Sequence, residues 1–168
     1  MVRQAKTKDI DSIFRLIELH ASNGQMLGRS LEEIVCHISD FIVYEFEGRV
    51  AGACSLKYGW DQLVEIRSLA VHPDFYRRGF ASAIVTECIE SAMEKGGVEG
   101  VFVLTYAIQL FEKLGFQRIR KGSLPLKVWE DCMACSKKNS CDEIAMFMTL
   151  QSAAHGMLGE RLMDSSMC

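Results

Sequence analysis

The chain has 168 residues, a net charge of −3, 49% apolar and 24% charged residues, which suits a single domain with one core. The mild acidity excludes a general nucleic-acid binder, and no apolar window is long enough for a membrane span or a leader, so the cytoplasm is the expected compartment. Seven cysteines in a chain with no sign of export predict reduced thiols rather than disulfides.

In chain order, Val2 to Ala5 reads as a first strand, and Thr7 is placed to cap a helix. In that helix Ile10, Ile13, Phe14, Ile17 and Leu19 share a face, and Asp9 and Asp11 suit the positive end of the dipole. A loop with Asn23, Gly24 and Gly28 follows. Ser30 and Glu33 then form a capping box for a second helix with Leu31, Ile34, Val35 and Ile38 as its apolar stripe. Phe41 to Phe46 and Val50 to Leu56 are strands joined by a Glu47-Gly48 hairpin turn.

Glu65 to Val71 alternates like a strand, which would place Glu65, Arg67, Leu69 and Val71 on one face and Ile66, Ser68 and Ala70 on the other. His72-Pro73-Asp74 breaks it. From Gly79 the apolar residues Phe80, Ile84, Val85, Cys88, Ile89 and Met93 recur at helical spacing until Gly96 and Gly97. Further on come a strand at Val101 to Leu104, a helix from Ala107 to Leu114 closed by Gly115, and strands at Phe116 to Ile119 and Ile144 to Leu150. The connection from Lys121 to Glu143 is long enough to suggest a functional loop. Residues 1–150 are thus expected to form one domain. The tail, 151–168, has two readings: a frayed end, or a segment that docks on the body or on a second subunit, as in a homodimer.

The turn Arg77-Arg78-Gly79-Phe80-Ala81-Ser82 opens a helix. Unpartnered N–H groups and the positive dipole end favour an anion there, small residues admit a phosphate, and two arginines add charge. A solvated basic helix start is the alternative. The chain lacks a GxGxxG fingerprint and a P-loop, which argues against NAD and ATP.

The run LAVHPDFYRRGFASAIV resembles the pyrophosphate-binding motif of the GNAT acetyltransferases, Gln/Arg-x-x-Gly-x-Gly/Ala, with Gly79 and Ala81 in the fourth and sixth positions and Tyr76 departing at the first. LFEKLGF, residues 110–116, resembles the family's second landmark. The resemblance implies an α/β GNAT fold: a central mixed, mostly antiparallel twisted sheet of about six to seven strands flanked by about four helices. It implies acetyl-CoA as co-substrate, held by Leu69, Ala70, Val71, Arg77, Arg78, Gly79, Phe80, Ala81, Ser82 and Phe111.

It also implies that Glu65 is the general base, directly or through water, and that a main-chain N–H around Leu69 or Ala70 serves the oxyanion. An ion pair of Glu65 with Arg67 at the end of the strand is the structural alternative. Many members carry a tyrosine acid in the second landmark. This chain has Phe111 there, and Tyr106, just after the fifth strand, is the nearest substitute, with aromatic packing as its alternative role.

GQMLGRS at Gly24 to Ser30, EIRSLAV at Glu65 to Val71, and LPLKVWEDCMACSKKNSCDEIAM at Leu124 to Met146 further resemble the short bacterial N-acetylglutamate synthases of arginine biosynthesis. That implies L-glutamate as acceptor, with another amino acid, a protein N-terminus, or a non-catalytic acyl-CoA-binding regulator as alternatives. Two carboxylates call for two cationic anchors. Arg29, beside the Leu27 backbone, and Lys127 are the preferred pair, and Lys57 and Arg67 are further candidates. Cys132, Cys135 and Cys141 look like part of a zinc site but are one ligand short, so no metal is expected, with packed or redox-sensitive thiols in its place.

Overall fold

The computed structural model describes residues 1–133, 135, 137 and 140–150, and the backbone alone of residues 60, 126, 127 and 131. The expectations for the tail, 151–168, and for the side chain of Lys127 lie outside the described residues. Among the described residues seven strands form one sheet, in the order β1-β2-β3-β4-β5-β7-β6. They are β1 (Val2–Gln4), β2 (Phe41–Phe46), β3 (Arg49–Trp60), β4 (Leu63–Val71), β5 (Gly100–Thr105), β6 (Gln117–Ile119) and β7 (Ile144–Thr149). All neighbours are antiparallel except β4 and β5, so the sheet is mixed, as the family resemblance implies.

Helices α1 (Ile10–Ser22) and α2 (Leu31–Cys36) cover one face, where Ile13, Leu16, Ile17 and Ile34 pack on Val43, Ala53 and Ala70. On the other face α3 (Phe80–Lys95) and α4 (Ile108–Lys113) bury Ile84, Val85, Cys88, Ile89 and Phe111 against Leu56, Val64, Ile66 and Val103. A third cluster, Phe102, Leu124, Val128 and Ala145, packs the segment that precedes the single turn α5 (Glu130–Met133) against β5 and β7. Among the described residues no helix is long and apolar enough to cross a membrane.

Local sequence accounts for most of these elements. Glu47 and Gly48 have φ of 51° and 73°, the paired positive values that a two-residue hairpin turn requires. The Ser30–Glu33 capping box is present in both directions. The start of α1 differs from expectation: Thr7 lies inside a short 3-10 turn (Thr7–Asp9) and caps nothing. Asp9 is buried, and its carboxylate accepts from Arg3 at 2.7 and 3.0 Å and from the Lys6 N–H at 2.8 Å. It therefore stitches β1 to the helix, and the Arg3 hydrogen bond holds its carboxyl below the usual range. Leu19 is exposed, and Leu16 and His20 take the inward positions instead.

The largest difference lies in β4. Its register against β3 runs Ser55↔Arg67 and then Ala53↔Ala70, so Ser68 and Leu69 together stand opposite Cys54. This is a β-bulge, and Ser68 takes a left-handed φ of 53°. The extra residue reverses the alternation. Glu65 and Arg67 stay on the α1 side, whereas Leu69 and Val71 turn to the α3 side and Ala70 joins the α1 side. The single-face grouping of Glu65, Arg67, Leu69 and Val71 is thereby corrected, because an unbroken pleat is the premise of that grouping.

Candidate active site

Three features meet at the centre of the sheet. The first is the turn between β4 and α3. Phe75, Phe80, Tyr44 and Phe46 form its aromatic base, with the Phe80 ring stacked on Tyr44 at 3.8 Å and 13°. Phe80 therefore offers only its main chain to a ligand. Arg77 and Gly79 have φ of 61° and 79° on either side of Arg78, an alternation that turns successive N–H groups into one concavity. The first α-helical hydrogen bond is Ala83 N–H to Gly79 C=O at 3.0 Å, so the N–H groups of Phe80, Ala81 and Ser82 have no acceptor within the helix. A Cβ on Gly79 would meet nothing within 4 Å, so the space over the turn is open. Arg77 and Arg78 are exposed, and the Arg78 guanidinium lies 5.5 Å from the Phe46 and Phe75 rings.

The second feature is a slot between β4 and β5. Their parallel pairing ends at Ile66↔Val103, just before the bulge, while both strands continue. The opening holds about 250 Å³ and is lined by Leu69, Leu104, Thr105 and the buried Phe111. Val71 is committed elsewhere: its side chain packs in the α3-side core and its carbonyl accepts from His20 Nε2 at 2.9 Å. Ala70 is buried against α1.

The third is a cleft of about 380 Å³ on the α1 side, bounded by the loop that carries Leu27 and Arg29, by Glu65 and Arg67 of β4, and by Cys132, Cys135, Cys141 and Glu143. Buried His20 fixes that loop, because its other ring nitrogen meets the Gln25 side-chain amide at 2.7 Å. Arg29 Nε donates to Ser68 Oγ at 3.4 Å, and its Nη1 lies 3.7 Å from Glu33 Oε1. Arg67 Nε is 3.9 Å from Glu65 Oε2, and both side chains are nearly buried. Lys57 pairs across the strands with Glu65 but lines a neighbouring cavity, shared with Arg29 and Arg67, and not the Glu65 cleft.

The sequence does not single out Lys137 and Glu143 of the cleft, nor Asp142 beside it, and it offers Tyr106 and the three cysteines without their partners. Tyr106 donates to Asp142 Oδ1 at 2.6 Å, and Lys137 Nζ reaches the Tyr106 hydroxyl and the Gly24 carbonyl, each at 3.3 Å. The hydrogen bond to Asp142 raises the Tyr106 hydroxyl and lowers the Asp142 carboxyl. Burial raises the Glu143 carboxyl and the Cys132 thiol. The Cys135 N–H bonds the Cys132 carbonyl at 3.1 Å, and the three thiols line one wall; among the described residues no three His, Cys, Asp or Glu side chains are grouped to hold a metal. Signals for these residues were faint: His20 follows Ile13, Leu16 and Ile17 on the helical period, and Glu143 immediately precedes the apolar run of β7.

An open turn with N–H groups unpartnered within its helix, a slot beside it in the chain, and a charged cleft that shares lining residues with the slot fit a thioester donor and a small polar acceptor. The model of the acetyltransferase (GNAT) family matches residues 11–116. The chain belongs to that family. Acetyl-CoA is accordingly its co-substrate.

Among relatives, an uncharacterized N-acetyltransferase of Chlorobaculum tepidum is 42% identical over 149 residues, 89% of this chain and 96% of its own. An amino-acid acetyltransferase of Mycobacterium tuberculosis is 30% identical over 134 residues, 78% of this chain and 76% of its own. Among solved structures, the N-acetylglutamate synthase of Neisseria gonorrhoeae complexed with coenzyme A and N-acetyl-glutamate superposes with a TM-score of 0.79 at 28% identity. That match covers 89% of this chain but spans only 35% of the Neisseria chain.

Proposed function

We propose that this GNAT acetyltransferase transfers the acetyl group of acetyl-CoA directly to the α-amino group of L-glutamate, in a ternary complex, as the N-acetylglutamate-forming step of arginine biosynthesis. The observation that carries the reading is Arg29, held over the bulge residue Ser68 in the same cleft as Glu65. A guanidinium there can fork onto a carboxylate of an amino acid whose amine points toward β4. The similarity to an amino-acid acetyltransferase and to an N-acetylglutamate synthase bound to its product supports the same choice.

In this reading the roles divide by place. Gly79, Ala81 and Ser82 hold the pyrophosphate through main-chain N–H groups, with Arg77 and Arg78 as peripheral charge. Ser68 and Leu69 interrupt the β3–β4 ladder while Ala70 rejoins it, so the Leu69 N–H is the preferred oxyanion donor. Glu65 takes the proton that the acceptor ammonium must lose, directly or through water. Arg67 and the Leu27 backbone complete the acceptor pocket with Arg29, whereas Lys57, in the adjoining cavity, becomes a supporting charge.

Replacing Arg29 by alanine should remove a charge-assisted hydrogen bond from the acceptor, a loss of about 1.5 to 3 kcal/mol. Steady-state kinetics should show kcat/KM for glutamate falling roughly ten- to a hundredfold, with the acetyl-CoA KM nearly unchanged. An Arg29→Ala enzyme impaired in acetyl-CoA binding and unimpaired toward glutamate would move Arg29 to the donor site and remove this argument.

A further inference from the structure

The amine and the thioester carbonyl must meet where the acceptor cleft opens into the slot between β4 and β5. Among the described residues, few side chains border both spaces: Gln25, Met26, Ile66, Leu104, Tyr106 and Glu143. Glu65 borders the cleft alone, and Phe111, in the slot, carries no exchangeable proton. Tyr106 donates its hydroxyl proton to Asp142. Glu143 is therefore the carboxyl group among the described residues that stands at the junction. The geometry points to Glu143 as a second catalytic carboxylate, which takes the proton shed by the attacking nitrogen and passes it to the departing sulfur.

The proposal rests on the acetyl-transfer reading and completes its proton balance. An ammonium acceptor loses two protons on becoming an amide. The first leaves before attack, to Glu65. As the N–C bond forms, the nitrogen sheds the second to the Glu143 carboxylate; as the C–S bond breaks, Glu143 returns that proton to the thiolate and is again ionised. One proton is released overall and CoA leaves as its thiol.

The surroundings suit a group that must both take and give a proton. Glu143 sits just before β7, which pairs with β5 through Thr105↔Ile144 and so fixes it at the end of β5. The Cys141 thiol lies 4.0 Å from its Oε2. Lys121, Asp142 and Lys137 surround it on the neighbouring segment, Tyr106 lies at the end of β5, and Glu65, Arg67 and Arg29 face it across the cleft with Cys132 and Cys135. Burial raises its carboxyl and outweighs the lowering by Lys121 and Lys137, which brings the group nearer to the neutral range where general catalysts work best.

The test combines Glu143→Gln and Glu143→Asp with kinetics and with carbon-13 NMR of glutamate-labelled protein. In the free protein, one carboxyl should titrate above the ordinary range and vanish from the Glu143→Gln spectrum while persisting in that of Glu65→Gln. Glu143→Gln should lower kcat on the order of a hundredfold with the acetyl-CoA KM within about twofold of the wild type, and Glu143→Asp should recover part of the loss. A Glu143→Gln enzyme with wild-type kcat would overturn the proposal, as would a loss that Asp fails to restore together with weakened acetyl-CoA binding. Absence of glutamate turnover in the wild type, with the NMR titration intact, would instead count against the choice of acceptor.

Discussion

Replacing Gly79 by valine should abolish acetyl-CoA binding in calorimetric titration while the protein still folds. The concavity exists because Arg77 and Gly79 both hold left-handed φ values around Arg78, and because nothing occupies the space above the Gly79 Cα. A β-branched side chain would fill that space. It would also resist a φ of 79°, at a strain of about 1 to 3 kcal/mol. This strain bears on one turn of a 16-residue helix whose buried face is elsewhere, so thermal melting should fall by roughly 2 to 12 °C without loss of the fold. Gly79→Ala separates the two effects, since it brings similar backbone strain with less bulk, and should bind acetyl-CoA weakly but measurably. Unchanged CoA affinity in Gly79→Val would show that the pyrophosphate lies elsewhere.

The second large effect is expected at Glu65. Glu65→Gln keeps the shape of the side chain and removes a proton acceptor from the cleft, so the rate at neutral pH should fall by about 10²- to 10⁴-fold. The sign of the pH dependence follows. Glutamine accepts no proton at any pH, so the variant relies on acceptor that is already neutral, a fraction that grows about tenfold per pH unit below the amine pKa. Its rate should therefore climb with pH and recover in part at the alkaline end. Loss of the 3.9 Å contact with Arg67 is the structural side effect, and circular dichroism checks that the fold survives it. A pH–rate profile parallel to that of the wild type would reduce Glu65 to a partner for Arg67.

Much of what depends on local spacing is legible in the chain, although Thr7 as a cap and Leu19 as a core residue are not. The β4–turn–α3 unit follows from a strand, a glycine turn and a 3.6-residue period, and the hairpin at Glu47-Gly48 and the cap at Ser30 follow from two and four residues respectively. The bulge at Ser68 does not, because a serine with φ of 53° carries no composition signal and reveals itself only in the register with β3. Its consequence is that Val71, grouped by alternation with Glu65, turns to the opposite side of the sheet. Likewise, Asp9 reads as a helix-dipole residue until Arg3 is seen to hold it.

The candidate site divides along the same line. Residues contributed by β4, the turn and the loop at Arg29 stand in contiguous motifs, which makes them legible as candidates. Glu143 and Lys137 line the cleft, and Asp142 holds Tyr106 at its edge, because β7 inserts between β5 and β6, a placement set by tertiary packing. His20 is similar: a histidine on the buried stripe of α1 gives no hint that its two nitrogens tie the Gln25 side chain to the Val71 carbonyl.

The central claim, acetylation of an acidic amino acid, is tested most directly by following CoA release from acetyl-CoA across the free amino acids with the wild-type chain. Glutamate should give the highest kcat/KM, exceeding glutamine by about tenfold or more, since replacing one carboxylate by an amide forfeits a charge-assisted hydrogen bond of about 1.5 to 3 kcal/mol. Equal turnover of glutamate and glutamine, or a higher rate with an amino acid that has no side-chain carboxylate, would contradict it.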